Sequence, residues 1–546
     1  MRCYLFKRSF TVFIIMAVIL SFIGALAPHL AFADEPGTIT IYLRIEGFAD
    51  DNNGTNGTIL PVTKVVLPEG STVLDALAVA LHNKNIPFVN NESDWGEYIS
   101  SIDGKQSGYY GGWDGWNYRV NGISPSVGVD AKTLEDGNNV VVYYADWSGT
   151  YWPEVSVVEA TYEGETPAFK LILKGTNGNG DSKFIQDAEV IIRDSNGKPV
   201  DLGNAQTGEN GEFLIELGDG SSFTAGDYYV QFRKYVDKDG KPGFPEICKT
   251  RWYKLTVHQD QTEITLDKEY VPAGVETINY SLQQPTIDDG MPSYNVENEQ
   301  IIVSGTGIQG LKVEATLIKD NEQISTVSDV VYNDYNITFH GIKEAGEYFV
   351  EVAAVMGAEK TQPVSKSITV SVPVTLRVEG DQDTVLEPVH VLADSNALDT
   401  LTSTLASRQP AINYTILEND YGQYVAAIDN ISEKKYGGWD GWLFTVQRDG
   451  EFISPAVGAD SFYPEKGDEI VFYYGSFDTH VPEVTIAPEN PKVGEEITVT
   501  VTTTYYDWSQ SKEVTENVAG ATVHFNGSNY ITDGDGQVTL NPVQTP

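Results

Sequence analysis

Apolar and polar residues alternate along many short segments of the chain, which is the pattern of β-strands with one buried face. In the segment 116–120, for example, Trp116, Tyr118 and Val120 share one face and polar residues occupy the other. The pair Asn-Gly that follows is typical of a tight turn. Within the first 152 residues, we predict strands at residues 38–45, 62–67 and 116–120, and a last strand at residues 139–145 after the turn signal "EDGN".

A helical period interrupts these strand patterns once in this part of the chain. Apolar residues recur after residue 70 at positions i, i+3, i+4 and i+7, with Ser71 as the predicted N-cap, and the same spacing returns near residue 400. One helix packed on a small mixed sheet is an α+β fold. The apolar positions are Leu74, Leu77, Ala78 and Leu81 in the first segment and Leu398, Leu401 and Leu405 in the second.

Most of the first 152 residues are repeated after residue 370. "LRIEG" returns as "LRVEG", "DWGEYISSIDG" returns as "DYGQYVAAIDN", and "GGWDGW" is present twice. The motifs follow one another in the same order, which indicates a duplicated domain. We therefore predict two homologous modules, module 1 at residues 38–152 and module 2 at residues 370–480.

The other segments carry strand signals without a helical period, which favours β-sandwich domains. The segments that follow the two modules repeat each other, and the second copy stops short of where the first would close. The sequence is therefore either a fragment of a longer product or ends in an incomplete domain. We predict a multi-domain, mainly β chain in which two α+β modules alternate with sandwiches at residues 153–259, 260–369 and 482–546.

The first 33 residues have the pattern of an export signal. A basic start at Arg2, Lys7 and Arg8 precedes an apolar run, and the segment closes with Ala-Phe-Ala, the small residues that signal peptidase requires. We predict cleavage before Asp34, with an uncleaved membrane anchor as the alternative. No later stretch of the sequence has the ~20 apolar residues that span a bilayer. The mature chain is therefore expected outside the cell, secreted or held at the cell surface, with no transmembrane helix.

The composition narrows the classes of partner and chemistry. With 35 basic and 78 acidic residues, the formal net charge is −43, which disfavours binding to nucleic acid. Cys248 is the one cysteine after the export signal and is expected to be a buried apolar residue. The histidines are dispersed, and the sequence has no phosphate loop, nucleophile elbow or zinc motif. We predict that the chain is not an enzyme and has no catalytic residues, metal site or cofactor.

The end of module 1 resembles a known family. The segment "GWNYRVNGISPSVGVDAKTLEDGNNVVVYY" is similar to the transcobalamin-like C-terminal domain family of bacterial surface proteins, and module 2 departs from that pattern at residues 446–450, where the turn is longer. The resemblance implies a β-grasp-like domain, related to the smaller domain of cobalamin carriers. The segments after the modules resemble carboxypeptidase regulatory-like or bacterial immunoglobulin-like domains, which implies spacers without catalysis.

The repeated segment "YGGWD" contains the candidate ligand-binding residues. Two interpretations of Trp113 and its counterpart Trp439 stay open: they fill a small core, or they form a flat patch among glycines that a ligand can approach. A corrin ring or the face of a sugar would stack on such a patch. The aspartates are either ligands or turn residues. The candidates are Tyr110, Trp113 and Asp114 in module 1 and Tyr436, Trp439 and Asp440 in module 2.

Two functions fit these features. The first is a structural or adhesive role at the cell surface, in contact with wall glycan, a host or a neighbouring cell. The alternative is an extracellular ligand-binding protein, for which the family resemblance nominates cobalamin or another corrinoid. Cobalamin carriers also use a large helical barrel, which no segment of this sequence predicts. The expected partners are a cell-wall glycan or a protein, or a flat small molecule such as a corrinoid.

Overall fold

A computed structural model describes residues 37–49, 57–93, 96–160, 167–203, 205–217, 221–259, 263–453, 455–476, 479–492, 494–507 and 512–541. The predicted export signal lies outside these residues. The chain divides into two compact units: the first contains residues up to 293 together with 301–339 and 349–367, and the second contains 294–300, 340–348 and the residues from 368 onward. The fold is multi-domain and mainly β, as the sequence predicts.

Module 1 is a mixed sheet with one helix packed against it. Its elements are β1 (Thr38–Glu46), β2 (Thr58–Pro68), α1 (Val73–Lys84), β3 (Phe88–Asn91), β4 (Tyr98–Ile102), β5 (Lys105–Gln106), β6 (Gly115–Val120) and β7 (Asn139–Ala145). β1 pairs antiparallel with β2 and parallel with β7, and β6 pairs antiparallel with β7. A strand from further along the chain, Thr277–Asn279, adds a parallel edge to β2. The sheet of module 1 therefore includes residues that the sequence assigns to a sandwich.

The helix of module 1 begins one residue later than the sequence predicts. Thr72, not Ser71, is the N-cap: its hydroxyl accepts a hydrogen bond from the backbone N–H of Asp75 at 3.2 Å. The Asp75 carboxylate accepts in turn from the backbone N–H of Thr72 at 2.8 Å. This capping box pairs two N–H groups that the first turn would otherwise leave without partners.

Helix α1 is buried on all sides, although its sequence predicts one buried face. Every residue from 73 to 81 is buried. The reason is that Ile308, Leu311 and Met356, from the segment after the first sandwich, belong to the same apolar core as the helix. Gly310 makes this approach possible, since a Cβ added there would lie 2.6 Å from the ring of Phe88.

The segment after module 1 forms two sheets around its own apolar core. Its strands are β8 (Trp152–Ala160), β9 (Ala168–Thr176), β10 (Ser182–Phe184), β11 (Glu189–Asp194), β12 (Glu212–Glu216), β13 (Gly226–Arg233), β14 (Tyr235–Lys238), β15 (Lys241–Pro245), β16 (Tyr253–Val257) and β17 (Ile264–Asp267). One sheet contains β8, β9, β10 and β12, and the other contains β11, β13, β16 and β17. β14 and β15 form a separate antiparallel hairpin that leaves this sandwich.

The segment up to module 2 is also built from strands. They are β18 (Thr277–Asn279), β19 (Ser293–Asn295), β20 (Gln300–Gly305), β21 (Lys312–Lys319), β22 (Glu322–Val330), β23 (Tyr335–His340), β24 (Gly346–Met356), β25 (Glu359–Lys360) and β26 (Val364–Val370). β21 pairs antiparallel with β22 and with β24. β18 is the strand that joins the sheet of module 1.

Module 2 repeats the topology of module 1. Its elements are β27 (Val372–Glu379), β28 (Thr384–Ala393), α2 (Ala397–Ser407), β29 (Tyr414–Asn419), β30 (Gly422–Ile428), β31 (Ile431–Ser432), β32 (Gly441–Arg448), β33 (Glu451–Ile453) and β34 (Glu469–Gly475). β27 pairs antiparallel with β28 and parallel with β34, and β32 pairs antiparallel with β34. Helix α2 buries one face, which contains the predicted Leu398, Leu401 and Leu405.

The last described segment is a small all-β region. Its strands are β35 (Pro482–Ala487), β36 (Ile497–Asp507), β37 (Lys512–Asn517), β38 (Thr522–Phe525), β39 (Ser528–Ile531) and β40 (Gln537–Leu540). β36 is the central strand and pairs with β35, β37 and β40. Ile497, Val499, Val501 and Leu540 form its core.

Candidate functional site

The segment "YGGWD" forms the same tight loop before a strand in both modules. Tryptophan loop 1 is residues 110–114, directly before β6, and tryptophan loop 2 is residues 436–440, directly before β32. In loop 1, Gly111 and Gly112 have φ angles of 88° and 85°. In loop 2, Gly437 and Gly438 have φ angles of 86° and 82°. A side chain disfavours this backbone conformation, so the shape of the loop itself requires glycine in these positions.

A buried carboxylate holds tryptophan loop 1 closed. Asp114 is 3% exposed, and its Oδ2 accepts hydrogen bonds from the backbone N–H of Tyr110 at 3.0 Å and from the hydroxyl of Tyr144 on β7. Its carbonyl oxygen accepts from the backbone N–H of Gly108 at 2.7 Å. Burial and the hydrogen bond to Asp114 raise the pKa of Tyr144, so its hydroxyl stays a proton donor. Asp114 therefore has the contacts of a turn residue, whose carboxylate closes the loop.

Tryptophan loop 2 is held by the same arrangement. Oδ2 of Asp440 accepts from the backbone N–H of Tyr436 at 3.0 Å and from the hydroxyl of Tyr474 on β34. The carbonyl oxygen of Asp440 accepts from the backbone N–H of Lys434 at 2.8 Å. The backbone N–H of Tyr436 and the hydroxyl of Tyr474 hold the pKa of Asp440 below its ordinary value. Burial and the hydrogen bond to Asp440 raise the pKa of Tyr474 to about 12.

The second tryptophan of each "GGWDGW" motif belongs to the framework. Trp116 donates from Nε1 to the carbonyl oxygen of Lys105 at 2.9 Å, and its ring meets the ring of Tyr144 edge to face at 5.6 Å. Trp442 repeats the contact with Tyr474 at the same 5.6 Å. Trp116 also packs with Tyr118 against the core of module 1, which contains Val120, as the strand pattern predicts.

The first tryptophan of each motif projects into solvent. The side chains of Trp113 and Trp439 are 93% and 84% exposed. The interpretation that these two residues fill a core is therefore wrong, and each loop presents an indole ring to the surroundings on a braced turn.

The tyrosines at the start of the two loops differ in their surroundings. Tyr110 is 2% exposed, its ring meets the ring of Phe244 on β15 at 5.1 Å, and its hydroxyl donates to the carbonyl oxygen of Pro242 at 2.8 Å. Tyr436 is 64% exposed. The predicted two-ring patch is thus exposed in module 2, whereas in module 1 the sandwich hairpin covers the tyrosine and leaves the tryptophan.

A charged pair lies beside tryptophan loop 2. Nζ of Lys435 lies 2.5 Å from Oδ2 of Asp381, and the hydroxyl of Tyr436 donates to the same carboxylate oxygen. The hydrogen bonds from Lys435 and Tyr436 lower the pKa of Asp381. The sequence analysis did not single out Asp381 or Lys435. The sequence does contain a sign of this difference, because "LRIEGF" and "LRVEGD" align the apolar Phe48 with the charged Asp381.

Tyr421 is a further exposed aromatic residue of module 2 that was not predicted as a site residue. Tyr421 lies between β29 and β30 and is 96% exposed. The backbone N–H of Gln423 donates to Asp460 at 2.7 Å, which ties this hairpin to the "VGAD" loop. The repeat aligns Tyr421 with Trp95, a residue outside the described ranges. A large aromatic residue at the same aligned position of both copies was the signal.

Three features outside the loops bear on the predicted chemistry. Within the ranges that the structure describes, no group of three His, Cys, Asp or Glu side chains could hold a metal ion. In those same ranges, no helix has both the length and the apolar character to cross a membrane. Cys248 is buried as predicted, and burial raises the pKa of its thiol to about 11.

Comparison with known proteins gives one family match, which occurs twice. Residues 70–146 and 399–476 each match the family described as a domain of unknown function, DUF4430. No curated protein matches the chain. The two matches fall within residues 38–152 and 370–480 of the chain.

Solved structures give weak similarities. Haptocorrin in complex with Cbi is 23% identical over 20% of this chain and 26% of its own, with a TM-score of 0.17, so this chain spans about a quarter of it. A tetra-tandem repeat from the extending region of a large adhesion protein is 12% identical over 90% of this chain and 100% of its own, with a TM-score of 0.16. Two fibronectin type III domains of chicken tenascin are 13% identical over 40% of this chain and 98% of their own, with a TM-score of 0.12. At these TM-scores the similarities carry no argument about function. Two segments of this mainly β, multi-domain chain thus match a domain of unknown function.

Proposed function

We propose that this chain is an extracellular, non-enzymatic protein with a structural or adhesive role, and that it contacts cell-wall glycan through an exposed tryptophan of the repeated loop. The observation that carries the proposal is the exposure of Trp113 and Trp439, at 93% and 84%, on loops that the same hydrogen bonds hold in both modules. The export signal predicted at residues 1–33 supports a location outside the cell.

Packing gives no reason for a tryptophan in this position. A duplicated fold needs the same core residues twice, as Trp116 and Trp442 illustrate, but Trp113 and Trp439 contribute little to either core. A large aromatic side chain in water is typical of binding surfaces, where tryptophan contributes more than most residues. The bracing of each loop lowers the conformational entropy that is lost when a partner binds.

Wall glycan suits an exposed indole ring. The apolar face of a sugar packs flat on an aromatic face, and the hydroxyls around its edge stay hydrated.

The alternative is a corrinoid ligand. An exposed indole ring that glycines flank also suits the flat corrin ring, and the sequence of module 1 resembles the transcobalamin-like C-terminal domain family. The two proposals differ in the ligand that the same tryptophans recognise, so one pair of variants serves to test both.

The test is co-sedimentation of the full chain with insoluble peptidoglycan. We expect the wild type to sediment and the double variant Trp113→Ala/Trp439→Ala to stay in the supernatant. Trp147→Ala is the matched control, because Trp147 is 58% exposed but lies outside both loops. Equal sedimentation of wild type and double variant would refute the proposal. Saturable binding of cyanocobalamin that the double variant loses, without binding to peptidoglycan, would replace it with the alternative.

A further inference from the structure

The two tryptophan loops have the same framework but opposite surroundings. In module 1, the hairpin of β14 and β15 packs on the loop: besides the contact of Tyr110 with Phe244, Nζ of Lys241 lies 4.7 Å from the ring centre of Tyr109. Phe48 completes the packing, with its ring stacked on that of Tyr109 at 4.6 Å. The face beside loop 1 is therefore occupied by another domain of the same chain.

The residues that receive this hairpin are replaced in module 2. Phe48 aligns with Asp381, and Tyr109 aligns with Lys435, so two stacked rings become an ion pair. A hairpin packed there would take both charges out of water, which costs more than their mutual attraction returns unless every polar atom is paired. The face beside loop 2 therefore disfavours the kind of contact that module 1 makes.

The same two charges suit a polyol. A sugar hydroxyl can donate to the Asp381 carboxylate and accept from the Lys435 ammonium, since it is both donor and acceptor. Tyr436 and Trp439, three positions apart and 64% and 84% exposed, add aromatic surface for the apolar face of a sugar. Lys435 offsets the charge of Asp381 within a strongly acidic chain, which suits an uncharged hydroxylated partner.

The two helices show the same difference between the modules. Helix α1 is covered on its outer face, where Gly310 and Leu311 approach it. Helix α2 buries one face only. Other segments thus cover module 1 at Tyr110 of loop 1 and at its helix, while Trp113 stays exposed.

We propose that module 2 carries the glycan-binding site, formed by Tyr436 and Trp439 with the Asp381–Lys435 pair, and that tryptophan loop 1 is a joint between domains. This assignment rests on the proposed function. Module 1 then has a structural role and module 2 a binding role, although they share one fold. The partner that binds beside loop 2 is a hydroxylated polymer.

The experiment compares variants of the full chain for binding to insoluble peptidoglycan and, by tryptophan fluorescence, to a soluble tetramer of N-acetylglucosamine. Trp439→Ala is expected to weaken binding by roughly tenfold or more, and Trp113→Ala by no more than about twofold. The double variant Asp381→Phe/Lys435→Tyr, which copies the residues of module 1, should also lose roughly tenfold. Melting curves of each variant check that it is folded, and Trp439→Phe should restore part of the binding.

The outcomes separate this assignment from the function on which it rests. Equal losses in Trp113→Ala and Trp439→Ala, or a loss only when both are changed, would overturn the assignment and leave glycan binding in place. Binding of the wild type that no loop variant changes would overturn both the site and its assignment. Failure of the wild type to bind either glycan, or binding of a protein partner at this face instead, would overturn the glycan proposal itself.

Discussion

Substitution of the corresponding tyrosine in the two modules is predicted to have unequal consequences for stability. Tyr110→Ala removes a ring that is 2% exposed and lies 5.4 Å from the ring of Phe48 and 5.1 Å from that of Phe244. It also leaves the carbonyl oxygen of Pro242 without its hydroxyl donor. Tyr436→Ala removes a ring that is 64% exposed.

The expected changes in the free energy of unfolding follow from how deeply each tyrosine is buried. Truncation of a buried aromatic side chain to alanine costs about 3–5 kcal/mol, the range expected for Tyr110→Ala. Tyr110→Phe isolates the hydroxyl and is expected to cost about 1 kcal/mol. Tyr436→Ala, at the surface, is expected to change the free energy of unfolding by about 0.5 kcal/mol.

Differential scanning calorimetry of the full chain measures the difference. Because the chain has several domains, each transition is first assigned by hydrogen exchange in β6 of module 1 and in β32 of module 2. Tyr110→Ala should lower the melting temperature of the transition that includes module 1 by about 6 °C or more, and Tyr436→Ala should shift its own transition by less than about 2 °C. Equal shifts in melting temperature would refute the conclusion that Tyr110 is covered by the hairpin while Tyr436 is open to solvent.

Three further predictions concern the helix of module 1, its contact with the neighbouring strands, and loop 2. Burial raises the pKa of Asp75 from 3.8 to about 6, so its contribution to stability is fully present below about pH 4 and is lost as the pH rises through 6. Relative to Asp75→Asn, the wild type should lose up to about 3 kcal/mol between pH 4 and pH 7 in urea unfolding. Gly310→Val should destabilise the same module by about 2 kcal/mol or more in urea unfolding, because its Cβ would meet the ring of Phe88 at 2.6 Å at a φ of 82°. Asp440→Ala should weaken glycan binding several-fold in the sedimentation assay while Trp439 stays exposed, because the carboxylate that closes loop 2 is gone.

Each of these has its own control. Gly274→Val tests the backbone conformation alone, since Gly274 has a φ of 74° and no atom near its added Cβ, and a loss as large as that of Gly310→Val would disprove the steric reason. If Asp75→Asn leaves the pH dependence of the free energy of unfolding unchanged, other carboxylates cause that dependence. Unaltered glycan binding by Asp440→Ala would show that the loop needs no brace.

Local patterns were sufficient to predict four strands and the helix of module 1. Residues 139–145, which follow the turn signal "EDGN", were predicted as a strand, and β7 has those bounds. The alternation of Trp116, Tyr118 and Val120 likewise placed β6 and its buried face correctly. These features depend on neighbours within a few residues, which a single sequence displays.

The surroundings of the loops could not be predicted in the same way. "YGGWD" is identical in both copies, yet Tyr110 is buried and Tyr436 is exposed, because burial depends on Phe244, a residue more than a hundred positions away. The exposure of Trp113 and Trp439 was also undecided by the sequence, since tryptophan is common in cores. The replacements of Phe48 by Asp381 and of Tyr109 by Lys435 recorded the difference between the modules, and both positions lie next to the repeated motifs rather than within them.

The central claim is that Trp439, on an open loop of module 2, contacts the glycan while Trp113 does not. Hydroxyl-radical footprinting of the full chain, read out by mass spectrometry, measures the accessibility of both side chains in one sample. Saturating peptidoglycan should slow the oxidation of Trp439 severalfold and leave the rate at Trp113 unchanged. Equal protection of both tryptophans, or protection of neither when the chain is bound, would contradict the account.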